Sequence, residues 1–180
     1  LSRTLDAAGR IPPGMVRVSA TETTAGALSD FFIDRCEVTN RQFKEFVGAG
    51  GYRGRDIWKH PFVRDGRELS WEEAMREFVD SSGQPGPATW QAGDYPDGEA
   101  DHPVSGISWY EAAAYAESVG KGLPTSLHWN AARGAYTPMI RWPQLGGFAV
   151  IAPFCNFAGR GTVPVGSLPG LTSYGALDMP

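Results

Sequence analysis

Residues 102–134, HPVSGISWYEAAAYAESVGKGLPTSLHWNAARG, restrict the fold more than any other part of the chain. Ser108 precedes Glu111 by three residues, so each side chain can bond the other's backbone N–H in a capping box that opens a helix. Ala112, Tyr115, Ala116 and Val119 then recur on one face at helical spacing. Gly120 is placed to take the left-handed conformation that ends a helix, and Pro124 keeps it from restarting at once. Thr125 can cap a second helix through Trp129, Ala131 and Ala132. The pattern predicts two short helices meeting at a KGLPT corner, with Trp109, Tyr115 and Trp129 filling the angle between them.

The same signals recur upstream. Thr39 with Gln42 and Ser70 with Glu73 form two more capping boxes. The first opens a helix with Phe43, Phe46 and Val47 on one face, stopped by the glycines at 48–51; the second aligns Trp71, Met75 and Phe78. Residues 15–18 alternate as a half-buried strand does, and residues 31–38 read as further strand after a Thr/Gly-rich turn. Residues 52–69 are rich in Arg, aromatics and turns, residues 81–100 read as loop, and residues 148–154 as a buried strand. The start of the chain, ending in Ile-Pro-Pro-Gly, reads as an extended lead-in.

A length of 180 residues fits one domain with a sizeable core. The 23 Gly and 14 Pro predict many turns and little regular structure. A net charge of −4 with no basic run argues against nucleic acid as a partner. No apolar run approaches the roughly 20 residues of a membrane span, and no signal peptide is visible. The expectation is a soluble domain without membrane insertion, with a cytoplasmic setting favoured. Cys36 and Cys155 have no metal-type spacing and read as buried thiols, with a structural disulfide as the alternative. His60, His102 and His128 lack a second ligand at i+3 or i+4, so no local metal geometry supports them. Asp94, Asp97, Glu99 and Asp101 do not follow the calcium-loop pattern and read as a solvated acidic loop, with a cation site as the alternative. P-loop, dinucleotide-binding and G-x-S-x-G patterns are absent from the sequence.

Residues 102–129 resemble the central motif of the sulfatase-modifying-factor family, which includes the formylglycine-generating enzymes: HPV, then S-W, G-K-x-L-P-T and a final W. FFIDRCEVTNRQFKEFV (31–47) and VPVGSLPGLTSYGALDM (163–179) are similar to two flanking family segments, in the family's order. The resemblance implies an α+β domain of the formylglycine-generating, C-type-lectin-like type, with short helices, short strands and much irregular loop. It also implies that residues 13–180 form this domain without its C-terminal part, since relatives continue into GNVWEW. Residues 1–12 would be a linker or the tail of a preceding domain, and the lead-in is similar to that of bacterial kinase-linked members.

For chemistry, the resemblance cuts both ways. Asn156 and Phe157 match by position an Asn side chain and a following carbonyl that bind structural Ca²⁺ in some relatives, whereas the other family ligands have no counterpart in the short turn at 158–162. Two oxygens fall short of the six to eight Ca²⁺ takes, and a turn-stabilising Asn156 is the competing reading. The Cu(I)-holding cysteine pair of the formylglycine-generating enzymes lies in the family's C-terminal part, and neither Cys36 nor Cys155 matches it. TSLHWN (125–130) also replaces the family's acidic TEAEWE, with His128 where many relatives have Glu. No catalytic residue is therefore assigned, and copper is expected only if a C-terminal part carries that pair. Three functions remain open: a non-catalytic binding or regulatory module of a multidomain bacterial protein, the N-terminal part of an O₂- and copper-dependent oxidoreductase acting on sulfatase cysteines, and a variable ligand-display domain. The first would bind a protein or small molecule at its loop-rich face, with an attached kinase domain as an intramolecular partner.

Overall fold

The computed structural model describes residues 11–23, 25–134, 154–157 and 161–179. Among the described residues it is α+β, with short antiparallel strand pairs, four short α-helices and long ordered loops. The chain divides into two compact units, one of Leu1–Glu37 with Pro124–Pro180, the other of Val38–Leu123.

In the first unit, β1 (Met15–Val18) pairs antiparallel with β4 (Phe31–Asp34), Val18 opposite Phe31 and Met15 opposite Asp34. The connection is not a bare turn: β2 (Thr21–Thr23) and β3 (Gly26–Leu28) form a hairpin of their own. β4 stops at Asp34, so the extended reading of 31–38 holds for its first half only. Thr125 caps α4 (Ser126–Ala132) by accepting the His128 N–H. Val18, Ala131, Ala132, Ala176 and Met179 make the buried core, padded by Val16, Leu28, Phe31, Ile33 and Tyr174.

The second unit is held by aromatic rings. α1 (Asn40–Gly48), α2 (Trp71–Glu77) and α3 (Trp109–Ser118) each start with the capping box read from the sequence, with both reciprocal bonds formed. Phe43 and Phe46 of α1 are buried with Tyr52, Trp90 and Ala114. Tyr115 stacks on Phe43 at 5.5 Å, and Trp90 meets Phe43 edge-on at 6.2 Å. A second layer joins them, in which Trp58 stacks on Phe78 at 5.3 Å and contacts Trp71 and Phe62. At the C-terminus of α3, Gly120 has a φ of 69°. Its N–H bonds the Glu117 carbonyl while the Lys121 N–H bonds that of Ala116, which is the Schellman closure.

Three expectations need correction. Trp109 and Trp129 do not fill a corner: they are 55% and 44% exposed. Each stands two positions before a buried residue of its helix, Glu111 and Ala131, which places it about 200° round the axis from the packed side. Val119 is likewise exposed, as the C-cap residue just past the last turn of α3. Residues 62–69, read only as turn-rich, form the hairpin β5 (Phe62–Arg64) and β6 (Arg67–Leu69). Asp65 and Gly66, with φ of 52° and 77°, make its two-residue turn, the conformation that an Asp-Gly pair favours. The strand expected at 148–154 lies outside the described residues except for Phe154, which is 39% exposed.

Candidate functional site

The loop that leaves α2 and returns at α3 is the longest irregular stretch of the second unit, and its backbone is pinned from inside. Asp80 begins an Asx-type turn: its Oδ1 accepts the Ser82 N–H (2.8 Å), the Ser82 hydroxyl (2.7 Å) and the Gln84 N–H (3.0 Å). Its Oδ2 accepts the Gly93 N–H at 2.6 Å, tying two distant parts of the loop together. Burial works to raise the Asp80 pKa, but the bonds from Ser82, Gly93 and Gln84 outweigh it and bring the carboxyl to about 2. Trp90, 1% exposed, plugs the loop into the core. Its indole N–H donates to Asn40 Oδ1 at 3.0 Å, and the Asn40 amide donates to the Glu99 carbonyl at 2.9 Å. Asn40, itself buried, thus fastens both ends of residues 90–99 to the first turn of α1.

Lys44 completes the clamp, donating to the Gly93 carbonyl and lying 3.2 Å from the Asp94 carboxylate. In the acidic stretch, Asp101 pairs with Arg41 at 2.8 Å. Both of these ion pairs are exposed and screened by solvent, so each adds little to stability. The outcome is a rigid loop whose outer rim, with Thr89, Gln91 and Asp97, is exposed.

A second exposed feature flanks α3. His60 meets Trp109 edge-on at 4.7 Å, and the Tyr110 hydroxyl accepts the Val63 N–H at 2.9 Å. This hydroxyl occupies the open edge of β5, where an unpaired N–H would otherwise face solvent. His60, His102 and His128 each have a partner of their own. His60 lies against Trp109, the His102 carbonyl accepts the Asn40 N–H at 2.9 Å, and His128 Nδ1 is 2.6 Å from the Thr125 hydroxyl. Glu111, a candidate acid by type, is buried and committed to Tyr52 (2.6 Å) and to the Ser108 N–H (2.6 Å).

In the first unit, Cys36 and Cys155 are both half-buried free thiols. Burial pushes both pKa values up, and at Cys36 the Asp178 and Glu37 charges add to it. Thiol pairs that hold a soft metal or attack a substrate need the opposite, a stabilised thiolate. The Asn156 amide donates to the Gly161 carbonyl at 2.8 Å, a turn-closing bond. With the Phe157 carbonyl, Asn156 would give Ca²⁺ two oxygens of the six to eight it takes, and no group of three or more His, Cys, Asp or Glu gathers to supply the rest among the described residues. These residues do not make a complete calcium cage. Among the described residues no helix is long and apolar enough to cross a membrane.

The hairpins, the capped helices and a loop face pinned by buried polar side chains make an α+β fold with much ordered irregular backbone. The family model of the sulfatase-modifying factor enzyme 1-like domain matches residues 2–179, and the chain belongs to that family. It is 32% identical to a serine/threonine-protein kinase pkn1 of Chlamydia caviae, over 84% of this chain and 21% of that protein. It is 36% identical to a formylglycine-generating enzyme of Thermomonospora curvata, over 64% of this chain and 41% of that protein. It is 29% identical to a hercynine oxygenase of Mycobacterium tuberculosis, over 83% of this chain and 35% of that protein. The chain thus spans about a fifth to two fifths of the length of these curated relatives.

The sequence reading missed Asp80, Asn40 and Trp90 as a set. The Asp-Ser-Ser-Gly turn at Asp80 was visible in the sequence, but Asn40 and Trp90 lie 50 residues apart and only the fold brings them together.

Proposed function

We propose that this chain is a non-catalytic binding or regulatory module within a multidomain bacterial protein, taking a protein or small-molecule ligand on the loop face around residues 80–99. The observation that carries the reading is the loop face itself, irregular backbone fastened by Asp80, Asn40 and Trp90 and exposed at its rim. The kinase-named relative supports it, since this chain matches only a fifth of that protein, as a module of a larger protein does. A kinase domain in the same polypeptide would then be an intramolecular partner, and a cytoplasmic setting follows from that pairing. Residues 1–12 would serve as the connection to a preceding domain.

The second reading, part of an O₂-dependent oxidoreductase, is favoured by the identity to the formylglycine-generating enzyme. Copper would then need a cysteine pair other than Cys36 and Cys155. The full-length protein, incubated with a Cys-x-Pro-x-Arg peptide, O₂ and Cu(I), separates the two. An unchanged peptide is the expected result; an aldehyde at the cysteine would overturn the module reading. For calcium at Asn156 and Phe157, a thermal melt with and without millimolar Ca²⁺ is expected to show no shift.

A further inference from the structure

We propose that Asp65 is a site of spontaneous covalent modification: it closes on the Gly66 nitrogen to a succinimide and reopens as isoaspartate, lengthening the main chain at the tip of the β5–β6 hairpin. The sequence holds two Asp-Gly pairs, Asp65-Gly66 and Asp97-Gly98, and in both the missing glycine side chain leaves the attacking nitrogen uncrowded. The structure tells them apart. Asp65 and Gly66 lie outside the strand ladder, which closes at Arg64 opposite Arg67. The Asp65 side chain is 95% exposed, with its carboxylate 3.9 Å from Arg64 Nε, and a Cβ built on Gly66 would meet nothing within 4 Å. Both reacting groups therefore have room to move. Ring closure requires the Asp65–Gly66 peptide to turn over, so that the Gly66 nitrogen faces the side-chain carboxyl carbon. That rotation takes a type I′ turn to type II′, and φ of the first corner residue is positive in both. Asp65 already has it, at 52°. Asp97 lies outside the left-handed region, and its turn is closed by the Glu99 N–H on the Pro96 carbonyl at 3.0 Å. The Glu99 carbonyl is in turn tied to the Asn40 amide.

The chemistry needs only solvent. The Gly66 nitrogen gives up its proton and bonds to Asp65 Cγ, the C–OH bond breaks, and one water leaves. Water then opens the ring. Addition at Cγ restores aspartate. Addition at the main-chain carbonyl carbon breaks its bond to nitrogen, so the chain continues through Cγ and a carboxylate is left where the backbone carbonyl stood. The inserted methylene ends the match between Arg64 and Arg67. These two arginines also hold the hairpin to α2, through Glu77 and Glu73. The new carboxylate, carried by the residue next to Arg64, competes with α2 for them.

The test is to incubate the intact chain at pH 6 and physiological temperature for weeks. Isoaspartate is then located by electron-transfer fragmentation of proteolytic peptides, which separates the two isomers at equal mass. It should accumulate several-fold faster at Asp65 than at Asp97. In urea, where both pairs sample the same conformations, that difference should vanish. Gly66→Asn keeps a residue suited to the left-handed turn but crowds the nitrogen, and should slow conversion at Asp65 several-fold without changing it at Asp97. The aged wild type should also show faster amide exchange at Arg64 and Arg67. Absence of isoaspartate at Asp65, or equal rates at Asp65 and Asp97 in the folded chain, overturns the proposal.

Discussion

Replacing Asp80 by Asn tests how the loop face is held. Asn keeps one acceptor for Ser82 and Gln84 but sets an NH₂ group against the Gly93 N–H, so two donors face each other where a 2.6 Å bond stood. The carboxyl falls from an ordinary 3.8 to about 2 on folding. By linkage that difference stabilises the fold by about 2 kcal/mol at neutral pH. The sign follows from the lowered value: the stabilisation is complete above pH 4 and is lost as pH falls toward 2. Asp80→Asn should therefore lose about 2 kcal/mol at pH 6, some 5 °C in Tm for a chain of this size. The gap to wild type should shrink by about 1 kcal/mol at pH 3, where the carboxyl is mostly protonated in the unfolded chain and still ionised in the folded one. Urea unfolding at both pH values measures the two gaps, and all other carboxylates cancel in the comparison. An equal gap at pH 6 and pH 3, or none at pH 6, would refute the account of Asp80 as a charged organiser of the loop.

Other residues give independent checks. Asn40→Ala removes the acceptor of the Trp90 indole and the donor to the Glu99 carbonyl, and should lower stability by about 2–4 kcal/mol in chemical unfolding. Tyr52→Phe deletes the hydroxyl that bonds the buried Glu111 carboxylate at 2.6 Å, costing about 1–3 kcal/mol; a neutral result would mean water replaces it. Gly51→Ala would put a Cβ 2.3 Å from the Phe46 ring, so overpacking of about 1–3 kcal/mol is expected in thermal melts, and an unchanged Tm would show that the ring yields freely. Cys36 and Cys155 should react with a disulfide reagent more slowly than a free thiol at pH 7 and gain rate only in alkali, because both pKa values are raised. Fast modification at neutral pH would contradict the environment assigned to them.

The local decisions were legible in the chain itself. Three capping boxes, the Thr125 cap and the left-handed Gly120 depend on residues three or four apart, so spacing alone fixes their geometry. The Asp65-Gly66 hairpin was equally local, and the crowd of arginines and aromatics around it obscured its alternation. The family, and with it the fold, could be recognised from ordered motifs spanning most of the chain. Tertiary structure alone decided which faces are dry. Trp109 and Trp129 are exposed because the interior sides of their helices are taken by Glu111 with Ala114 and by Ala131 with Ala132. Hydrophobicity does not reveal that arrangement, since the Glu111 carboxyl is buried with one partner in its own cap, the Ser108 N–H, and another, Tyr52, 59 residues away. The loop face is likewise a long-range product: Asn40 with Trp90 and Asp80 with Gly93 meet through folding, and buried polar groups must find partners wherever the chain brings them.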